Sequence, residues 1–432
     1  MNLTLQPATQ LQGRVTVPGD KSITHRALLL GGLSNGPSRI DGFLDSGDCR
    51  ATLGCLQALG VEIERPGAET LLVRGRGLHG WREPEDVLDC VRSGTTMRLM
   101  AGLLAGRPMY SVLRAEAQLR RRPMDRVITP LTAMGAQIAA RDGNRLPPMT
   151  IVGQSLQGAD HTLPVASAQV KSCLLLAGLY AKGTTTVREP GPSRDHTERM
   201  LRGRGVLVAS EGLVHSVTGL VQHLDAVDVR VPGDFSSAAY LIVAALLVSG
   251  SEIVVGNVGV NPTRTGLLDA LRAMGALIEL ENERDEGGEP VADLRIRTAE
   301  LRGTAIGGEV VPRMIDEFPI LALAATQAQG ETRVRDAAEL RVKETDRVAT
   351  TVEALRALGA QIEAAPDGFT VLGPTPLRGA AVDGAGDHRL AMTLAVAGLI
   401  ARGGTTVLGA ECIADSFPGF GETLGQIAGG AQ

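Results

Sequence analysis

Cysteine, aromatic residues and lysine are all scarce in this chain of 432 residues. The five cysteines (Cys49, Cys55, Cys90, Cys173 and Cys412) are odd in number and form no CxxC pair, which argues against a disulfide framework or a zinc ribbon. Reduced packing residues are expected instead. Aromatic residues make up 2% and the net charge is -5, so the chain has neither a stacking platform for bases nor a basic field, and no nucleic-acid partner is expected. The longest apolar run, Ala238 to Val248, is too short to span a bilayer, and the opening MNLTLQPATQ lacks the basic and apolar regions of a signal peptide. A cytoplasmic protein without a membrane contact is expected. The seven histidines show no HxxxH or HExxH spacing, so no metal site is anticipated. PGDKS has part of a P-loop, but Asp20 precedes Lys21 where glycine is needed, and no GxGxxG is expected to follow a strand, so no nucleotide cradle is expected. Only four lysines occur (Lys21, Lys171, Lys182 and Lys343), leaving 39 of the 43 cationic residues as arginine. A lysine kept in such a chain suggests a need for a compact ammonium that can exchange a proton.

What the chain has is the balance of a globular enzyme, with 44% hydrophobic and 21% charged residues. Its length predicts two or three domains. Six times an apolar helix of about 12 residues runs into a glycine and then a β-branched strand. The glycines, Gly36, Gly106, Gly183, Gly250, Gly330 and Gly403, recur at roughly 70–80 residues. Helices apolar on nearly every face belong inside a domain. A second, amphipathic helix ending in glycine follows in five units, with only a weak candidate, GETLGQIAG, in the sixth.

VPGD occurs at Val17–Asp20 and again at Val231–Asp234, each time opening a buried helix. The spacing, close to half the chain, predicts two halves of three units with the VPGD segments as crossovers. The first strands are expected to pair with the C-terminal half. The predicted domains are therefore 18–230, and a discontinuous one of 1–17 with 231–432.

Polar clusters open each buried helix: Lys21-Ser22, Ser93-Gly94-Thr95, Ser167-Ala168-Gln169, Ser236-Ser237, Asp316-Glu317 and Asp387-His388-Arg389. Free N–H groups and the helix dipole favour anions there, although ordinary capping uses the same residues. Lys21 and Arg389 oppose the dipole, so capping does not explain them. Two arginine-rich segments stand out, Arg120–Arg126 and Arg341–Arg347, the second placing Lys343 and Arg347 four apart on one predicted helical face. Glu344 and Arg347 form either a helix-stabilising pair or a carboxylate held beside substrate-binding cations.

PGDKSITHRALLLGGLS, SGTTMRL, RRRPMDRV, LPVASAQVKSCLLLAGLY, IDEFPILA, ELRVKETDR, GDHRLAM and SFPGF, in this order across nearly the whole chain, resemble the 3-phosphoshikimate 1-carboxyvinyltransferases, or EPSP synthases. The resemblance implies an α/β fold of two inverse domains, each of three repeated units with buried parallel helices, and an active site in the interdomain cleft. It implies enolpyruvyl transfer from phosphoenolpyruvate to the 5-hydroxyl of shikimate 3-phosphate, without metal or organic cofactor; a monomer is expected.

The same resemblance assigns roles. Lys21, Ser22 and Arg26 correspond to residues holding shikimate 3-phosphate, with Lys21 also reaching phosphoenolpyruvate. Ser167, Ala168, Gln169 and Ser193 correspond to binders of the shikimate phosphate, Gln169 also bordering the second substrate. Gly94, Arg122, Arg347 and Arg389 match the phosphoenolpyruvate cradle. Asp316 matches the residue at the attacking hydroxyl, Lys343 lies on the same substrate, and Glu344 matches the proton donor to the methylene carbon. The chain departs from the family at Val91 and Arg92, usually glycine and asparagine, at His196 and Glu339, and at Asp415, where some members use lysine. The related UDP-N-acetylglucosamine enolpyruvyltransferases usually carry asparagine after the first lysine and a cysteine in the arginine loop. Here Ser22 stands after that lysine and no cysteine occurs between Val91 and Val170. A non-catalytic anion-binding repeat protein would not require Asp316, Lys343 and Glu344 together.

Overall fold

With no polar face to offer water, each of the six apolar stretches forms a buried helix: Lys21–Leu33, Gly94–Ala105, Ala168–Gly178, Phe235–Leu247, Phe318–Gln327 and His388–Gly398. Residues 1–429 are described in this computed structural model. The helices pack closely enough that a β-carbon at Gly102 would lie 2.2 Å from the carbonyl oxygen of Cys173, so glycine is required there. All five cysteines are buried and free.

Among the described residues six sheets accompany the six helices, five with four strands and one with three. In a representative unit Leu88–Asp89 and Tyr110–Arg114 pair in parallel on either side of the Gly94–Ala105 helix. Leu146–Val152 then pairs antiparallel with Tyr110–Arg114, and Gln137–Ala140 takes the edge. Parallel neighbours need a crossover, and the buried helix supplies it.

The two VPGD segments exchange strands reciprocally. Gln12–Thr16, ahead of the first VPGD, pairs in parallel with Glu252–Gly259, the strand after the second. Val229–Arg230, ahead of the second, pairs in parallel with Pro37–Asp41, the strand after the first. Leu3–Leu5 also joins Thr405–Leu408. Each VPGD aspartate caps its helix: Asp20 accepts from the Ile23 N–H at 2.8 Å and Asp234 from the Ser236 N–H at 2.7 Å. The chain divides into two compact units. One comprises Met1–Pro18, Pro232–Asp285 and Pro290–Gln432; the other comprises Gly19–Val231 with Glu286–Glu289. Each has its own apolar core.

Three local expectations change. The sixth amphipathic segment is a full helix, Phe420–Ile427, whose Phe420 ring meets Tyr240 and Phe417 edge-on. Gly75-Arg76-Gly77-Leu78-His79-Gly80 does have GxGxxG spacing after the strand Thr70–Arg74, but it continues as a loop. Without a helix behind it, it lacks the dipole and N–H groups of a dinucleotide cradle. Lys343 and Arg347 do not share a helical face. The 3-10 segment Ala338–Val342 ends in extended backbone at Lys343, and the next helix starts at Arg347 with Asp346 as its cap. No helix among the described residues is long and apolar enough to cross a membrane.

Candidate active site

In the unit built on Gly19–Val231, the predicted residues gather at three helix starts. Lys21 opens the first helix, and its ammonium lies 3.2 Å from Asp48 on the neighbouring helix Gly47–Ala58. Arg26, one turn further in, is buried and donates to Thr197 Oγ1 at 2.6 Å, Ser172 Oγ at 2.8 Å and the Ser22 carbonyl at 2.9 Å. Burial brings its pKa down to about 10, against the opposing pull of Glu198 and Asp20, so it remains a cation at neutral pH. Ser22 also accepts from Arg194 at 3.4 Å.

The second start is Gly94, capped by Ser93, which accepts from the Thr96 N–H at 3.1 Å. A β-carbon at Gly94 would lie 2.8 Å from Arg98 NH1 and 3.3 Å from Arg122 NH1, so two guanidinium groups close over a bare backbone. Arg98 donates to Gln169 Oε1 at 2.6 Å and to the Pro123 carbonyl at 3.1 Å, while Gln169 donates to Thr95 at 2.9 Å. Of the arginine-rich run, Arg120 and Arg121 are exposed, whereas Arg122 and Arg126 are half-buried.

Ser167 caps the third start, with Ala168 and Gln169 in its first turn, all half-buried. Ser193 is buried and spends its hydroxyl on Glu189 Oε1 at 2.5 Å. It belongs to an ionic cluster in which Lys171 lies 2.6 Å from Glu189 and 2.9 Å from Glu198. Burial pulls the Lys171 ammonium down, but the two carboxylates more than offset this and its pKa is raised. His196 is committed internally as well, 2.7 Å from Glu289 Oε1.

In the other unit the predicted residues converge on Arg347. This buried guanidinium contacts three carboxylates: Asp387 at 2.8 Å, Glu344 at 2.7 Å and Asp316 at 3.2 Å. Asp387 is fully buried, while Asp316 and Glu344 keep 19% and 24% of their side-chain surface exposed, so those two can reach a ligand. Burial works against the Arg347 charge, but the carboxylates hold its pKa well above the ordinary range. Lys343 is partly buried; desolvation outweighs the attraction of Asp316 and Glu339 and lowers its pKa, bringing the ammonium closer to giving up a proton. Arg389 is 4% exposed, and its Nε and NH1 have no hydrogen-bond partner among the described residues.

Several contributors were not among the predicted site residues. Arg98 sits one turn after Gly94, a spacing that could have pointed to it. Asp48 meets the site only through a tertiary contact, whereas Thr95 and Arg194 directly follow Gly94 and Ser193 in the chain. Asp387 reads in sequence as a helix cap, which it is, accepting from the Arg389 N–H at 2.9 Å, but it also anchors Arg347. A further buried group, Asp234, Ser236, Arg264 and Glu317, lies at the starts of the Phe235–Leu247 and Phe318–Gln327 helices, with Arg264 donating to Ser236 at 2.8 Å and to Asp234 at 3.1 Å and Ser236 donating to Glu317.

The chain resembles known proteins over nearly its whole length. The sequence profile for EPSP synthase (3-phosphoshikimate 1-carboxyvinyltransferase) matches residues 5–424. The chain is 54% identical over 419 residues to the 3-phosphoshikimate 1-carboxyvinyltransferase of Geobacter sp. (strain M21), covering 97% of each. It is also 54% identical over 424 residues to that of Desulfitobacterium hafniense (strain DSM 10664 / DCB-2), covering 98% of this chain and 97% of the relative. Among solved structures, an EPSP synthase from Acinetobacter baumannii superimposes with a TM-score of 0.89 at 42% identity, over 99% of this chain and 98% of that one. With the profile matching residues 5–424 and this likeness over nearly its whole length, the chain belongs to the EPSP synthase family.

Proposed function

We propose that the two groups of side chains described above serve one reaction, the transfer of the enolpyruvyl group of phosphoenolpyruvate to the 5-hydroxyl of shikimate 3-phosphate, with release of phosphate. Family membership makes the protein a transferase of the shikimate pathway, which leads to chorismate and the aromatic amino acids. The observation that carries the site assignment is Arg389, a buried cation with two unfilled donors beside the Arg347 carboxylates. Leaving donors of a buried charge unpaired is costly, and an anionic ligand removes the cost.

In this reading Lys21, Ser22, Arg26, Ser167, Ala168, Gln169 and Ser193 hold shikimate 3-phosphate, joined by Arg194. Gly94, Arg122, Arg347 and Arg389 hold phosphoenolpyruvate. Asp316 takes the proton of the attacking hydroxyl as its oxygen bonds to C2 of phosphoenolpyruvate, and Glu344 delivers a proton to the methylene carbon. Lys343 lies on the same shikimate 3-phosphate, where its ammonium offsets negative charge. The tetrahedral intermediate then loses phosphate and a methyl proton, restoring the double bond as the enol ether.

The Arg347 contacts give the order of events a physical basis. Its donors are occupied by Asp316, Glu344 and Asp387, so an incoming carboxylate must displace one of the two exposed acids. Donor binding thereby frees an acid for proton transfer. Ser193 must likewise give up Glu189 before it can donate to a phosphate. The protein acts as a monomer in the cytoplasm, with neither nucleic acid nor a membrane as partner, in keeping with its net charge of -5.

The test is phosphate release by purified protein, expected only when phosphoenolpyruvate and shikimate 3-phosphate are both present, and undiminished by a chelator. Turnover with UDP-N-acetylglucosamine in place of the shikimate would overturn the assignment.

A further inference from the structure

Two buried helices of one unit and the amphipathic helix between them are tied together by hydroxyl groups that have no part in the reaction above. His25 on Lys21–Leu33 lies with Nδ1 2.7 Å from Thr52 Oγ1 on Gly47–Ala58. Thr52 lies 2.7 Å from Thr96 Oγ1 on Gly94–Ala105. Thr96 donates in turn to Ser93 Oγ at 2.7 Å, and its own N–H reaches the same oxygen at 3.1 Å. All four side chains are fully buried.

The proton directions in this chain are set by counting. Each hydroxyl has one proton. The geometry makes Thr96 the donor to Ser93, with the Asp48 carbonyl at 3.4 Å as its weaker alternative. Thr96 can then only accept from Thr52, which leaves Thr52 to accept from His25. The imidazole must carry its proton on Nδ1 and leave Nε2, which has no partner among the described residues, as a bare acceptor. Burial keeps the ring neutral, its pKa near 3, against the upward pull of Asp48 and with Lys21 and Arg26 adding to the depression. The helices so joined are those that carry Lys21, Asp48 and Gly94 at their first turns, and Lys21 and Asp48 are already in contact.

We propose that His25 is a positioning residue for the phosphoenolpyruvate half of the site: acting through Thr52 and Thr96, it fixes the first turn at Ser93–Gly94 in register with the helix that opens at Lys21. This rests on the functional reading given above. A donor at Nδ1 is the feature that matters, and the amide nitrogen of asparagine can occupy the same place. An aliphatic side chain cannot, and its loss leaves Thr52 and Thr96 to settle on other partners or none.

The test compares His25→Asn, His25→Leu and Thr52→Val in phosphate-release kinetics with each substrate varied in turn. The KM for phosphoenolpyruvate is expected to rise about 10-fold in His25→Leu and Thr52→Val, the size expected for a broken buried hydrogen bond. It should stay within about 2-fold of wild type in His25→Asn, and the KM for shikimate 3-phosphate within about 2-fold in all three. Nitrogen-15 spectra of the wild type should show the Nδ1–H tautomer at His25, a readout that does not depend on activity. An Nε2–H tautomer would overturn the proposal. So would an unchanged phosphoenolpyruvate KM in folded His25→Leu and Thr52→Val, or a parallel loss of both KM values and melting temperature in His25→Asn. A wild type inactive on both substrates, yet showing the Nδ1–H tautomer, would count against the functional reading instead.

Discussion

Arg347 donates to Glu344 Oε2 at 2.7 Å across the boundary of a helix: Arg347 is its first residue, and Glu344 lies three residues upstream, outside it. The pair is therefore no helix-surface salt bridge. Glu344 stands on irregular backbone next to Lys343 and keeps 24% of its side-chain surface exposed. Glu344→Gln and Asp316→Ala should each lower kcat by about 100-fold or more, the usual contribution of a positioned acid or base, with smaller changes in KM. Steady-state phosphate release measures this. Turnover close to wild type in both variants would reduce the two acids to structural partners of Arg347.

At Gly94 the spacing to the guanidinium groups of Arg98 and Arg122 sets a second expectation. A methyl group there requires both side-chain ends to shift by a few tenths of an ångström, because the contacts would be 2.8 Å and 3.3 Å. Gly94→Ala should raise the KM for phosphoenolpyruvate about 3-fold and the inhibition constant of glyphosate, which is longer, about 10-fold or more. Wild type should show competition between glyphosate and phosphoenolpyruvate that strengthens with shikimate 3-phosphate bound. A titration of both proteins at fixed phosphoenolpyruvate decides it; equal inhibition of the two would remove Gly94 as the determinant.

Val91 and Arg92 bear on the same loop in different ways. Val91 has φ of 50°, in the left-handed region, at the second position of a turn closed by Ser93 N–H to the Cys90 carbonyl at 2.8 Å. A β-branched residue is strained there by roughly 1–2 kcal/mol, and glycine is not. Part of the gain from Val91→Gly is lost to the greater freedom of glycine in the unfolded chain. The variant should be more stable by up to about 1 kcal/mol, read as a higher urea midpoint at unchanged slope. Arg92 is 46% exposed, with its Nε 3.6 Å from Glu116, a surface pairing of little energetic weight. Arg92→Asn should change the phosphoenolpyruvate KM by less than about 2-fold. A larger change would place Arg92 on the substrate.

His25 predicts how stability responds to acid. Its folded pKa is depressed to about 3 by burial, whereas the unfolded chain titrates near 6.5. Above about pH 6.5 neither state is protonated at this ring and the group has no effect on the slope. As the pH falls toward 3, the unfolded chain binds a proton that the folded one does not, and stability declines by up to about 1.4 kcal/mol per unit from this group. Urea unfolding at about pH 7.5 and about pH 5 should show a smaller loss in His25→Asn than in wild type. Equal losses would mean that the ring is not held neutral.

Much of the architecture could be read directly from the residues. Six helices without a polar face have no stable place at a surface, so their burial, and the period that spaces them, followed from composition alone. The repeated VPGD marked the starts of two buried helices, because each aspartate caps its helix and a cap is a local device. The likeness of motifs supplied the candidate residues of the site. Tertiary structure alone decided how their donors are spent. Sequence could not show that the Ser193 hydroxyl goes to Glu189, that Arg347 gathers Asp316, Glu344 and Asp387 while Arg389 keeps unfilled donors, or that Lys343 stands off the helix begun by Arg347. These outcomes depend on groups from distant segments competing for the same few hydrogen bonds in a buried space. Spacing along one chain carries no record of which partner wins.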